Sequence, residues 1–462
     1  MRLGRLWKIG GLAALGALGL PCIVRRAAGF AVKSIIRPVI TEKYENNLWE
    51  LVIGTQRLTP DGLVETELRA ASDDYIERPL GTQRKFNYLD KILFNAAQLA
   101  VLPAPLQSKV DMSVVIGPAA ARPLKLQIPI LIGGMAYGMA LSEQFKIAFA
   151  RGATLAGTAT NTGQGPWLPA ERAAARCLIL QYSRGSWNKD VKILRQADAV
   201  EIQLGQGARA GAGFLLPVAK ISKKVRRQAG LAAGQDLVVE NRLREATTPK
   251  ELGALISRLK EVTGGVPVGV KIAAGKYLEQ DLEIITWAGA DFVSVDGREG
   301  GTHLSMPILE DDFGLPTLIA TCRAVRFWRE NGLKGKVSLL VGGGLVTPGD
   351  CLKILALGAD AVYLGTAVLI ATTHTQALKA VPFEPPTQIA YADGYYHNKF
   401  NVDEGARSLA RFLKSTVREM EEAIKALGKT ALYQVGPEDM FTVDRDVAQI
   451  TGLELAFYPP RR

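Results

Sequence analysis

Between residues 128 and 370 eight short apolar runs alternate with helical stretches, and most of the runs lead into glycine. They read IPILIGG from Ile128, ATLAGTA from Ala153, CLILQYS from Cys177, AVEIQLG from Ala199, VPVGVKI from Val266, DFVSVDG from Asp291, VSLLVGG from Val337 and AVYLGTA from Ala361. Runs this apolar suit strands buried on both faces, and helices between them make neighbouring strands parallel. Eight such units is the count of a (β/α)8 barrel, an α/β fold; an open doubly wound sheet is the alternative. An internal echo supports related units: ADAVEIQLG, GADFVSVDG and GADAVYLGT each set Ala-Asp before a strand.

The last two runs end in bare backbone. Gly342, Gly343 and Gly344 close the seventh, and Gly365 and Thr366 close the eighth. Glycine lets a backbone adopt unusual dihedrals and come close to a ligand. Between them Thr347 reads as an N-cap, Pro348 as a first helical residue and Gly358 as a stop after Leu357. Two such glycine sites on adjacent strands form an anion nest, and barrels commonly dock phosphate there. Ordinary tight βα turns would need no ligand.

Other strand ends carry polar groups. Lys271 ends the fifth run, where an inward ammonium suits the reduced ring of a flavin; pairing with Glu201 is the bland alternative. DGREGGTH from Asp296 brings Gly297, Gly300 and Gly301 with both charge signs, as a loop closing over a ligand would. QLGQGARAGAG carries Gln203, Gln206 and Arg209, the last able to fork onto a carboxylate. Gly134, Met135 and Ala136 offer backbone to a planar ring; Gln164 follows the second run, and Gln181 and Arg184 the third. Each loop alone is a weak signal, and their arrival at successive strand ends is a strong one.

Composition narrows the classes. A net charge of +11 would raise nucleic acid, but the basic residues are scattered without aromatic interleaving. Four separated cysteines and three histidines supply neither a zinc site nor a disulfide framework and fit a reduced compartment. Residues 9–24 form an apolar run flanked by Arg2, Arg5, Lys8, Arg25 and Arg26, read as an uncleaved membrane anchor with the barrel in the cytoplasm. A cleaved signal peptide or a soluble protein with a buried helix is the alternative. The division expected is an anchor over 1–30, an extension over 31–127, the barrel over 128–390 and a helical extension over 391–462. DKILFNAAQLAVLPAPL from Asp90 reads as an amphipathic helix, on a membrane or under the barrel.

In the order GGMAYGMALS, NTGQG, VEIQLGQGARAGAG, GVKI, DGREGGT, VGGGL and YLGTAVLIA, residues 128 to 370 resemble the FMN-binding synthase domain of glutamate synthase. The resemblance implies FMN, with its phosphate at Gly343-Gly344 and Gly365-Thr366 and its ring near Gly134, Met135, Ala136, Gln181 and Lys271, between loops that carry Asp296, Gly297, Gly300, Gly301 and Gly342. It implies catalytic roles for Lys271, Glu201 and Gln206, and substrate contacts from Arg184, Gln203, Gln206, Arg209 and Gln164. The chemistry implied is reductive amination of 2-oxoglutarate by way of its imine, with a separate electron donor and a separate ammonia source. An isomerase-type flavin barrel, or a tethered FMN-binding protein without turnover, is the alternative. Three departures bear on the substrate. Gln203 and Arg209 stand where the family has lysines, Gln164 stands where it has an acid, and ATTHTQALKAVPFEPP lacks the family's iron-sulfur cysteines. No glutaminase domain is expected ahead of the barrel.

Overall fold

The computed structural model describes residues 23–47 and 49–459, and the chain divides after Ile76 into two compact units. The first is helical, with a helix over residues 23–41 and two more over Trp49–Leu58 and Pro60–Ala70. Thr59 caps the third by accepting from the Gly62 amide. The apolar run at 9–24 lies outside the described residues except for Ile23 and Val24. Among the described residues no helix is long and apolar enough to cross a membrane.

The second unit is an α/β barrel. Its strands are β1 (Ile130–Ile132), β2 (Ala159–Asn161), β3 (Cys177–Tyr182), β4 (Ala199–Gln203), β5 (Val268–Ala273), β6 (Phe292–Asp296), β7 (Ser338–Gly342) and β8 (Ala361–Leu364). All ladders are parallel and link consecutive strands from β2 to β8, and β8 returns to β1. Strands β1 and β2 touch without a ladder, so the barrel is nearly closed.

Seven strands lie where the apolar runs put them. The second does not: Ala153 to Ala156 end helix α1 (Glu143–Ala156), which Gly157 stops in a left-handed turn at φ 77°. ATLA reads equally well as helix or strand, and only the glycine stop separates the two. The expected helix from Asp90 is also corrected. Leu89–Lys91 is a single 3-10 turn and Ile92–Phe94 a strand paired antiparallel with Met440–Thr442, so the segment's hydrogen bonds go to the C-terminal part of the chain.

The Ala-Asp echo has a physical role. The carboxylate oxygen Oδ2 of Asp198, Asp291 and Asp360 accepts the amide of Leu178, Val268 and Leu339, the first or neighbouring residue of the preceding strand, at 2.8, 2.9 and 2.8 Å. Each pairs as well with a base, Arg172, Lys260 and Lys334 respectively. One short side chain thus fastens three strand starts at the barrel's N-terminal end.

Inside the barrel Leu131, Ala159, Ile179, Ala199, Phe292, Leu340, Ala361 and Tyr363 pack with Ile116, Leu124 and Leu126 from a hairpin that plugs the bottom. Gly269 faces this space because a Cβ there would sit 2.4 Å from the Phe292 ring. Between the strands run α2 (Pro169–Ala174), α3 (Val191–Leu194), α4 (Pro249–Thr263), α5 (Leu278–Trp287), α6 (Thr317–Glu330) and α7 (Pro348–Leu357), and α8 (Thr366–Thr373) follows β8. A long amphipathic helix, α9 (Val402–Ala426), lies along α1, with Leu409 over Gly152 and the Phe400 and Phe145 rings 4.8 Å apart.

Candidate active site

Three loops at the C-terminal ends of the strands converge on the glycines. After β7, Gly343 and Gly344 have φ of 124° and 66°, conformations that side chains rarely adopt. Thr347 then caps α7 by accepting from the Asp350 amide, and Asp350 returns the bond, as the Thr-Pro-x-Asp spacing leads one to expect. Thr317 at the start of α6 donates its amide to Glu299 Oε2 at 2.8 Å, and its hydroxyl lies within donating reach of both Glu299 Oε2, at 2.6 Å, and Gly343 O, at 3.0 Å, which ties the loop after β6 to the loop after β7. Gly301 faces the Thr366 hydroxyl, since a Cβ would lie 2.4 Å from it. At Gly365 a Cβ would meet no atom within 4 Å. Here is open backbone at a helix N-terminus beside two left-handed glycines, the chemistry of an anion cradle. Gly342 contributes differently: its Cβ would lie 2.4 Å from Asp296 Oδ1, so it makes room for that carboxylate.

Next to this cradle, after β1 and β2, the loop Gly133–Tyr137 lies on the loop Asn161–Gly165, and the Gly133 amide donates to Leu364 O at 2.8 Å. A Cβ on Gly163 would be 2.5 Å from the Met135 carbonyl carbon, and one on Gly134 would be 2.8 Å from Asn161 Oδ1 and 3.0 Å from Gln181 Nε2. Lys146 on α1 staples the two loops. Its fully buried ammonium donates to Met135 O, Asn161 O and Thr162 O at 2.8, 2.9 and 3.3 Å and pairs with Glu171 at 3.0 Å. Burial pushes the Lys146 pKa down and the Glu171 pKa up, and each partner opposes the other's shift. Lys146→Met leaves Glu171 buried without its partner and is expected to lose about 3–5 kcal/mol in urea unfolding, with Glu171→Leu in the same chain restoring much of it.

Inside the barrel, beneath these loops, sits a polar layer. Glu201, with no exposure, accepts from Asn161 Nδ2 at 2.9 Å, Gln181 Nε2 at 2.9 Å and Ser294 Oγ at 2.7 Å. Lys271 pairs with Asp296 at 3.0 Å and lies 5.5 Å from the centre of the Tyr363 ring. Burial alone would lower the Lys271 pKa, but Asp296 and then Glu201 outweigh it and raise it, so the ammonium stays charged. Its direct partner is therefore Asp296, with Glu201 adding charge at longer range. Gln206 Oε1 accepts from Gln164 Nε2 at 3.4 Å, and both Gln203 side-chain atoms are buried without a partner.

Arg184 and Arg209 lie in the same region but brace backbone. Arg184 donates to the carbonyls of Gly211, Asn241 and Ala212, and burial, with Arg209 nearby, lowers its pKa to about 10. Arg209 donates to Leu304 O and Gly213 O, stacks on Phe214 and has Glu77 at 3.6 Å. Asn161, Ser294, Tyr363 and Lys146 escaped the sequence reading. The first three could have been found by period-two alternation, since Asn161, Ser294 and Tyr363 lie on the strand faces that point into the barrel.

His303, also outside the sequence assignments, sets its ring 4.1 Å from that of Tyr391. Burial lowers its pKa from 6.5 to about 4, Asp393 opposes this, and Arg209 and Lys220 add to it. Below pH 6.5 the unfolded chain takes up a proton that the folded chain refuses, so stability should fall as pH drops from 6.5 towards 4. The excess in urea midpoint of His303→Gln over the wild type should grow as pH falls across that window, because the variant lacks the proton-linked loss.

Among the described residues no cluster of histidine, cysteine, aspartate or glutamate is arranged to hold a metal ion, and Cys177, Cys322 and Cys351 are free. A family model, the conserved region in glutamate synthase, matches residues 70–430. A glutamate synthase large subunit-like protein of Rhizobium meliloti is 34% identical over 419 residues, covering 86% of this chain and 94% of the relative. An archaeal-type glutamate synthase [NADPH] of Thermotoga neapolitana is 30% identical, covering 81% and 78%. Among solved structures, the lactate oxidase of Pediococcus acidilactici superposes with a TM-score of 0.52 at 15% identity, over 79% of this chain and 89% of that one, a likeness of fold. With the family model spanning most of its length and a relative matched almost end to end, the chain belongs to the glutamate synthase family.

Proposed function

We propose that this barrel, an FMN-dependent oxidoreductase of the glutamate synthase type acting on CH–NH2 donors, reductively aminates a 2-oxo acid, 2-oxoglutarate or a close relative. The observation that carries the reading is the Lys271–Asp296 pair at the barrel mouth, set between the open glycine backbone and the unpartnered carboxamide of Gln203. The open Gly365 backbone and the orphaned Gln203 atoms are features that a bound cofactor would satisfy, so the residues present fit FMN.

FMN, when bound, supplies the hydride that turns an imine into an amine. Gly343, Gly344, Gly365 and Thr366 would hold its phosphate, and Gly134, Met135, Ala136 and Gln181 its ring. The Lys271 ammonium would stabilise negative charge at the ring's N1–C2 edge. Asp296 holds that ammonium charged, and Glu201 holds Asn161 and Gln181 in place. Gln206 and Gln164 would line the substrate side, with Arg184 and Arg209 bracing the loop that carries Gln206. Gly297, Gly300 and Gly301 let the loop after β6 close against its neighbours.

Electrons come from a separate donor and ammonia from a separate source in this reading, and the barrel spans residues 128–390 between the extensions on either side. Attachment to a membrane through residues 9–24, with the barrel on the cytoplasmic side, is supported by the apolar run and its basic flanks alone. The purified protein should be yellow. After anaerobic reduction, reoxidation should require a 2-oxo acid and ammonium together, with an amino acid as the product. A flavin that no 2-oxo acid reoxidises would overturn the reaction assigned.

A further inference from the structure

Among the described residues Gln203 is the buried carboxamide left wholly without hydrogen bonds. It ends β4 with no exposure, and neither its Nε2 nor its Oε1 has a partner. Glu201, two residues earlier on the same face of the strand, is saturated by three donors. In the β4–β5 ladder Gln203 stands opposite Lys271, so the two side chains rise side by side from neighbouring strands. A native interior rarely leaves such a group unpaired, and one placed at a barrel mouth awaits a ligand.

A carboxamide sets a donor and an acceptor side by side. Its complement is a –CO–NH– edge, which satisfies both atoms at once. A carboxylate satisfies only the Nε2 hydrogens and sets negative charge against Oε1. The pyrimidine ring of a flavin has such an edge, N3–H flanked by two carbonyls, next to the N1–C2 side assigned to Lys271. We propose that Gln203 pairs with the N3–H and an adjacent carbonyl of FMN, and so reads the cofactor rather than the substrate. This rests on the FMN reading above, and the amide is free to rotate by half a turn to match its partner.

The test uses the full chain stripped of flavin and titrated with FMN and with 3-methyl-FMN, in which N3 no longer donates. The wild-type chain should bind 3-methyl-FMN at least about tenfold more weakly than FMN, or 1.4 kcal/mol. Gln203→Leu and Gln203→Met, the second preserving side-chain length, should bind FMN about tenfold more weakly and no longer distinguish the two flavins. The proposal is overturned if the wild type binds both alike or if a folded variant keeps the discrimination. It is equally overturned if the variants bind both flavins normally but lose the spectral response to a 2-oxo acid, which would place Gln203 on the substrate. A wild-type chain that binds neither flavin overturns the FMN reading along with it.

Discussion

Replacing Lys271 by methionine should lower turnover by at least about 100-fold, the scale of removing one preorganised charge from a reacting centre, while flavin stays bound through its phosphate. The larger consequence concerns charge balance. Lys271 is the direct partner of Asp296 at 3.0 Å, and Glu201 adds to the negative field around it. The single substitution therefore removes a positive charge and also leaves a largely buried carboxylate without its partner. Both effects make an anionic reduced flavin harder to form. A lost interaction of about 1.4–2.8 kcal/mol corresponds to a fall of roughly 30–60 mV in the two-electron potential. Adding Asp296→Asn to Lys271→Met removes the stranded charge, so the potential and the urea midpoint should both recover in part while turnover stays low. Potentiometry on the two variants separates the effects. If Lys271→Met keeps the wild-type potential and turnover, the lysine only completes an ion pair, and the site built around it fails.

The sequence showed the barrel plainly because its strands are short, apolar and buried on both faces, and because the repeated Ala-Asp marks strand starts through one hydrogen-bonding device. It misplaced β2 because three strand residues follow an alanine-rich helix end that suits either state. It misjudged the segment after Asp90 because the partner of Ile92–Phe94 lies some 350 residues away, and local periodicity carries no trace of such a pairing. Within the site, glycines were legible because few residues tolerate φ of 124° and 66°. Ionic partners were less so. For Lys271 the sequence offered Glu201, on the adjacent strand, as the alternative partner to a flavin, yet Glu201 is filled by two amides and a hydroxyl, and the lysine turns to Asp296. Arg184 and Arg209 looked like anion receptors, and their dense bonding to backbone carbonyls arises from the fold of the loop after β4, which no motif encodes.

Gly365→Ala and Gly343→Ala should fail in opposite ways, and the contrast tests where the phosphate sits. At Gly343 the backbone has φ 124°, and a Cβ would lie 2.4 Å from Thr317 Oγ1 and 3.0 Å from Gly297 O, so alanine is both strained and crowded. That variant should lose on the order of 3 kcal/mol of stability whether or not flavin is present. At Gly365 a Cβ meets nothing within 4 Å, so the flavin-free chain should keep its urea midpoint to within about 1 kcal/mol. The open volume is where a phosphate would lie against the start of α8. A methyl group there would hold the phosphate off the backbone amides and weaken several charge-assisted hydrogen bonds together. FMN affinity should fall by about 100-fold or more, equivalent to roughly 2.7 kcal/mol, whereas riboflavin, which lacks the phosphate, should bind both forms alike. Equal loss of FMN and riboflavin would mean that the methyl disturbs the ring site instead. Unchanged FMN binding by Gly365→Ala would move the phosphate away from β8 and leave the glycines after β7 as an ordinary βα turn.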